Sequence, residues 1–149
     1  MDKQKGKSKK PKILMFLIDS LLGLVLKNKF SQAGFKVEVF YSYHNVIEIV
    51  DREKPDILLC DVLLDKTREE IAKMNGFDAI KLLKKNNLTK HIPVIVLSDL
   101  CYEENIAEGL KAGAEDYLCL GRYTPQETLK FIVDHLIKTG KFSKEDFSL

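Results

Sequence analysis

Asp19, Asp61 and Ser98 lie far apart in the chain, yet each stands directly after a short apolar run. The runs are Ile13 to Ile18, Ile57 to Cys60 and Ile92 to Leu97. Apolar stretches of this length without alternation read as strands buried on both faces of a parallel sheet. In open α/β sheets, ligands and chemistry gather just beyond the carboxyl ends of such strands. Two carboxylates brought together there repel unless a proton or a cation lies between them. Oxygen-only ligation with one or two carboxylates suits Mg²⁺. A carboxylate beside that cation can attack phosphorus and form an aspartyl phosphate. The cation would neutralise charge on the transferred group, and a hydroxyl such as Ser98 would hold one of its oxygens. Plainer readings stand beside these. Asp61 could cap a loop or the next helix, Asp19 could be a loop residue, and Ser98-Asp99 could cap the helix holding Glu103 and Glu104.

The elements that must position these groups follow in order. After the first strand, Ser20 is a candidate N-cap for a helix over 21–33, which Gly34 stops. Phe35 to Phe40 alternates as a second strand, and Ser42 opens a second helix that ends at Lys54-Pro55. The third strand ends on Asp61, and a polar loop covers 65–74. A third helix is expected over 76–85 and the fourth strand over 92–97. A helix over about 102–111 closed by Gly113 comes next, then a fifth strand over 116–120. Thr124-Pro125-Gln126-Glu127 is a strong helix start, with a cap, a proline at the first helical position and a glutamate three residues after the cap. Five strands alternating with five helices predict a parallel sheet covered on both faces. The natural solution is a doubly wound, flavodoxin-like α/β fold of strand order 2-1-3-4-5. In it strands one and three are neighbours, which brings Asp19 and Asp61 to one rim with Ser98 close by.

The chain has 149 residues, enough for one domain with a proper core. Its 45% hydrophobic and 31% charged residues are those of a soluble globular protein. The formal net charge is only +2, but residues 1–12 carry six lysines against one acid. That segment is expected to be a disordered, solvated leader, with nucleic acid not the expected partner. The ordered domain is expected over 13–138, with a polar tail over 139–149. No run is long enough for a membrane span or a signal-peptide core, and a cytoplasmic location is expected from the cysteine usage. Cys60, Cys101 and Cys119 show no metal-ligand spacing and read as reduced thiols. His44, His91 and His135 read as surface residues.

With these pieces assembled, the sequence resembles the receiver domain of two-component response regulators, in the stand-alone, CheY-like form, over about residues 12–136. The carriers are Asp19, the run Asp56 to Asp61, Asn75-Gly76-Phe77 and Ile92 to Ser98. The most specific is Gly109-Leu110-Lys111-Ala112-Gly113-Ala114-Glu115-Asp116-Tyr117-Leu118. The resemblance implies that Asp61 accepts a phosphoryl group from a histidine kinase or phosphotransfer protein. It implies Mg²⁺ held by Asp19, Asp61 and the backbone carbonyl of Leu63. Ser98 would be the hydroxyl that moves to the phosphoryl group, and Tyr117 the aromatic switch that turns inward with it. Output would then pass through protein contacts to a downstream partner, the chain itself being a monomer or weak homodimer and not an enzyme.

Departures accompany the likeness. Receivers usually carry two adjacent acids after strand one, where this chain has Ile18-Asp19-Ser20. They carry a Lys-Pro pair after strand five, where this chain has Leu120-Gly121, with Arg122 nearby. Asp99 adds charge where a small residue is usual. A charge-assisted hydrogen bond contributes roughly 1.5–3 kcal/mol. Throwing a two-state switch nearly fully takes about 5.5 kcal/mol of differential affinity. Loss of the lysine therefore predicts a site that accepts phosphate but switches weakly. The alternative is a degenerate receiver acting as a phosphorylation-independent binding module. A flavodoxin-like enzyme or nucleotide binder lacks support, because no glycine-rich phosphate loop follows strand one.

Overall fold

Burial on both faces dictates the composition of the central strands, and the structure shows where each stops. The computed structural model describes residues 10–62 and 75–149. The strands are β1 (Lys12–Phe16), β2 (Lys36–Phe40), β3 (Ile57–Cys60), β4 (Val94–Ser98) and β5 (Asp116–Cys119). The helices are α1 (Ser20–Gln32), α2 (Val46–Glu53), α3 (Gly76–Lys85), α4 (Glu103–Ala112) and α5 (Pro125–Lys138). All strand pairs are parallel, in the order β2-β1-β3-β4-β5. This is the doubly wound α/β fold expected from the alternation.

Every residue of β3 and β4 is buried, as a strand covered by helices on both sides requires. β2, at the edge, carries Lys36 and Glu38 among partly buried valines. One face of the sheet packs Ile13, Met15, Leu59 and Leu97 against α1 and α5, through Leu26, Phe30, Ile132 and Leu136. The other packs Leu14, Phe16, Leu58, Cys60 and Val96 against α2, α3 and α4, through Val50, Ile80, Leu83 and Ala112. Helix boundaries follow local chemistry. Asn75 caps α3 through the Asp78 N–H, and Thr124 with Glu127 forms a reciprocal capping box at α5. Gly113 closes α4 at φ 121°, a conformation that favours glycine.

Several boundaries differ from the expectation. β1 ends at Phe16, two residues before Ile18, and the N-cap of α1 is Asp19 instead of Ser20. α2 begins at Val46, because Asn45 adopts the left-handed conformation and interrupts any helix starting at Ser42. β5 ends at Cys119, and Leu120–Arg122 form a 3-10 turn. The expected leader over 1–12 lies outside the described residues up to residue 9, as do Leu63 and the loop over 65–74.

The largest difference is at the C-terminus, where the expected polar tail is part of the core. Phe142 and Phe147 are buried in the α1/α5 layer. Phe147 packs on Phe35 with ring centroids 5.5 Å apart and on Phe142 at 5.9 Å. The Ser148 N–H donates to the Ala33 carbonyl at 2.8 Å, and Lys141 pairs with Asp56 at 2.9 Å. The segment thus closes the amino-terminal end of the sheet, opposite the rim that carries Asp61.

Removing a buried phenylalanine leaves a cavity as well as losing transfer free energy. Phe147→Ala is expected to lower stability by about 3 kcal/mol in urea unfolding. Leu149→Ala, at a residue 72% exposed, should change it by less than about 0.5 kcal/mol.

Candidate functional site

The site is the rim where β3 and β4 end, and its geometry begins with strand register. Phe16 of β1 pairs with Cys60 of β3, and the Asp61 N–H donates to the Phe16 carbonyl at 2.8 Å. The residue beside Asp61 is therefore Leu17, and the next step along the chain is Ile18. Leu17 is buried in the α1/α5 layer, with its N–H on the Phe40 carbonyl at 2.9 Å. Ile18 is 38% exposed at the rim.

Asp19 comes two residues beyond the position that faces Asp61. Its carboxylate Oδ1 accepts the N–H groups of Leu21 and Leu22 at 2.8 and 3.2 Å. That arrangement satisfies two donors left without partners at the start of α1 and holds the carboxylate toward the helix. The expectation that Asp19 and Asp61 share the rim as a pair rests on a strand running to Ile18, and the strand stops earlier.

Asp61 is buried at 5% exposure, and three groups fix its backbone. Its N–H is held by Phe16, and its carbonyl accepts the Tyr43 hydroxyl. Gly76, the first residue of α3, lies against the same carbonyl, so close that any Cβ there would collide with it and with the Val62 Cα. Tyr43 is stacked on Phe16 at 5.2 Å, and burial raises its phenol well above the ordinary range. Neither contact was found by reading the sequence. Asn75-Gly76 gave a signal as a helix start, but a lone tyrosine in the β2–α2 loop gave none.

Ser98 and Tyr117 do converge, on one residue, Leu100. Ser98 is fully buried, and its Oγ accepts the Leu100 N–H at 3.2 Å. The Tyr117 hydroxyl donates to the Leu100 carbonyl. Burial lifts the Tyr117 phenol to about 12, a rise opposed by its hydrogen bond with Ser98. The ring is 8% exposed and fits over Gly109, where a Cβ would come within 2.8 Å of it. Tyr117 therefore occupies an inward position held by this chain's own groups. Leu120, at the position where a lysine is usual, is half-buried against the α1/α5 layer. Arg122 and Asp99 are exposed.

The donors available to Mg²⁺ follow directly. Among the described residues, the rim offers the Asp61 carboxylate beside the hydrocarbon of Leu17 and Ile18. Asp19 serves as a helix cap, and Leu63 lies outside the described residues. No three described His, Cys, Asp or Glu side chains are grouped so as to hold a metal ion. Among the described residues the rim therefore supplies one carboxylate, where the resemblance implies a pair together with the Leu63 carbonyl.

The description of a response regulator receiver domain matches residues 19–119 of this chain. Transcriptional regulatory protein ZraR of Salmonella typhimurium is 34% identical over 109 residues, which is 72% of this chain and 23% of that protein. Phosphate regulon transcriptional regulatory protein PhoB of Pseudomonas aeruginosa is 35% identical over 97 residues, 65% of this chain and 38% of that protein. The chain thus spans less than half the length of either relative. The Francisella response regulator 1452 receiver domain superposes with a TM-score of 0.73 at 26% identity, covering 87% of this chain and 98% of that one. A CheY-like receiver domain protein from Methanospirillum hungatei gives 0.75 at 20% identity, covering 89% and 98%, which is a likeness of fold.

The fit of Tyr117 over Gly109 can be tested by competition between two effects. Alanine gains about 1 kcal/mol over glycine in a helix, whereas overpacking a core costs about 1–3 kcal/mol. Gly109→Ala is expected to destabilise the protein as it stands. In a Tyr117→Ala background the same substitution should stabilise it by up to about 1 kcal/mol, a sign change that a double-mutant cycle in urea would reveal.

Proposed function

Because this chain belongs to the response regulator receiver domain family, we propose that it is a receiver-fold signalling module that acts through protein contacts without an aspartyl-phosphate switch. One observation carries the reading: the register of β1 on β3 sets Leu17, a hydrocarbon, beside Asp61. Forming an aspartyl phosphate brings a phosphoryl group and a carboxylate together, and the charge between them must be neutralised. Among the described residues, the positions that follow Phe16 in the β1 register beside Asp61 are Leu17 and then Ile18. The two groups that would couple phosphorylation to output, Ser98 and Tyr117, instead clamp the backbone on either side of Leu100. A clamp of this kind presents a fixed β4–α4 surface to a protein partner. Cytoplasmic residence belongs to the same reading, and no described helix is long and apolar enough to cross a membrane.

A second reading has its own support. Asp61 is buried directly after β3, and Ser98 ends β4 beside it in the sheet order, as a phosphorylatable receiver needs. On that reading a histidine kinase or phosphotransfer protein would supply the phosphoryl group. Asp19, Asp61 and the Leu63 carbonyl would be the residues to hold Mg²⁺, which would supply the missing positive charge.

Incubation with acetyl phosphate and millimolar Mg²⁺, followed by intact-mass measurement, separates the two. The unaltered chain is expected to gain no phosphoryl group. Ile18→Asp combined with Leu120→Lys, which returns an acid and a cation to the rim, should gain one that Asp61→Asn abolishes. A phosphoryl adduct on the unaltered chain that disappears in Asp61→Asn would establish the second reading instead.

A further inference from the structure

Cys101 and Cys119 belong to different elements but meet beside the Leu100 clamp. Ser98 of β4 and Cys119 of β5 are register partners on adjacent strands. The chain leaves β4 at Ser98 and turns back, so that the Cys101 thiol comes within 3.3 Å of the Ser98 carbonyl. This brings Cys101 to the end of β5, near enough to Cys119 for that thiol to help raise its own. Both pack in the α2/α3/α4 layer. The third cysteine, Cys60, pairs in register with Val96, which in turn pairs with Tyr117, so a strand separates it from β5. We propose that Cys101 and Cys119 form a reversible intrachain disulfide that fastens the β4–α4 loop to the end of β5.

Exposure sets the order of events. Cys101 is half-buried and Cys119 is 5% exposed, so an oxidant reaches Cys101 first. With a hydroperoxide as the oxidant, the Cys101 thiolate attacks the terminal oxygen. The O–O bond breaks, leaving a sulfenic acid and releasing an alcohol or, from hydrogen peroxide, water. The Cys119 sulfur then attacks the Cys101 sulfur, and hydroxide leaves and is protonated to water. Two thiols lose two hydrogens and two electrons, and one peroxide bond takes them up. Thiol reduction reverses the process.

Rate is the constraint on this chemistry. Burial and the neighbouring Cys119 thiol lift the Cys101 thiol to about 11, opposed by the charge of nearby Arg122. Little thiolate is present at neutral pH, so oxidation is slow there and accelerates as pH rises toward that value. Two adjacent thiols can also serve as small apolar packing alone, and that reading predicts no linkage. The bond, once formed, would tie down the loop whose Leu100 backbone Ser98 and Tyr117 already hold. It does not depend on the state of Asp61.

The test uses the full chain, treated with hydrogen peroxide at neutral and alkaline pH, alkylated in denaturant and mapped as peptides without reduction. The expected product is a linked Cys101/Cys119 peptide pair with Cys60 still alkylatable. It should form faster at alkaline pH, be absent from Cys101→Ser and Cys119→Ser, and be reversed by dithiothreitol. Hydrogen exchange at residues 99–102 should slow in the oxidised chain. Overoxidised Cys101 without a link, a link through Cys60 or between chains, or no reaction at alkaline pH would overturn the proposal. The peptide map of the unaltered chain decides the matter even if the serine variants fold poorly.

Discussion

The pairing of Phe16 with Cys60 is the constraint from which the character of the rim follows. Parallel strands in this fold are fixed in register because both of their faces are buried. A slip by one residue would exchange the Ile13/Met15 face with the Leu14/Phe16 face and undo both core layers. With the register fixed, Leu17 must stand beside Asp61, and nothing in the rim can move an acid into that place without unpairing β1. Asp19 is then free for the task its position offers, which is to cap α1. A carboxylate in that role is held by two N–H groups and by the positive end of the helix. It has little to gain from turning toward the pocket.

A second rigid point lies on the neighbouring strand. The Leu100 backbone is held at its N–H by Ser98 and at its carbonyl by Tyr117, both buried. Breaking either bond would strand a polar group away from water, a loss of about 1–3 kcal/mol. Tyr117 in turn needs the bare backbone of Gly109 to lie flat. Tyr117 of β5 thus touches both the β4–α4 loop, at Leu100, and the last turns of α4, at Gly109. The two thiols sit at the edge of this region. On the proposed reading, this region is the surface a partner would meet.

Much of this was legible before any coordinates. Unbroken apolar runs ending on polar residues pointed to the first, third and fourth strands, alternation to the second and a short stretch after Gly113 to the fifth, and their alternation with helices implied the strand order. What the sequence concealed has specific causes. The run from Ile13 to Ile18 stays apolar past the end of β1, so hydropathy could not show that Leu17 and Ile18 belong to the rim. Asp19 and Ser20 are both good helix caps, and only the backbone distinguishes them. Phe142 and Phe147 are separated by charged and polar residues with no helical or strand period. Their burial depends on Phe35 and Ala33, more than a hundred positions away. Tyr43 and Gly76 act on the Asp61 carbonyl through contacts that no local pattern encodes.

The central proposal is that, among the described residues, hydrocarbon beside Asp61 leaves no second carboxylate to complete a divalent-cation site there. A titration of the amide spectrum of the unaltered chain with Mg²⁺, followed by NMR, tests it most directly. The account predicts that the Asp61, Val62 and Ser98 resonances show only the shallow, non-saturating drift of bulk ionic strength. A saturable shift centred on Asp61 at millimolar Mg²⁺ would contradict it.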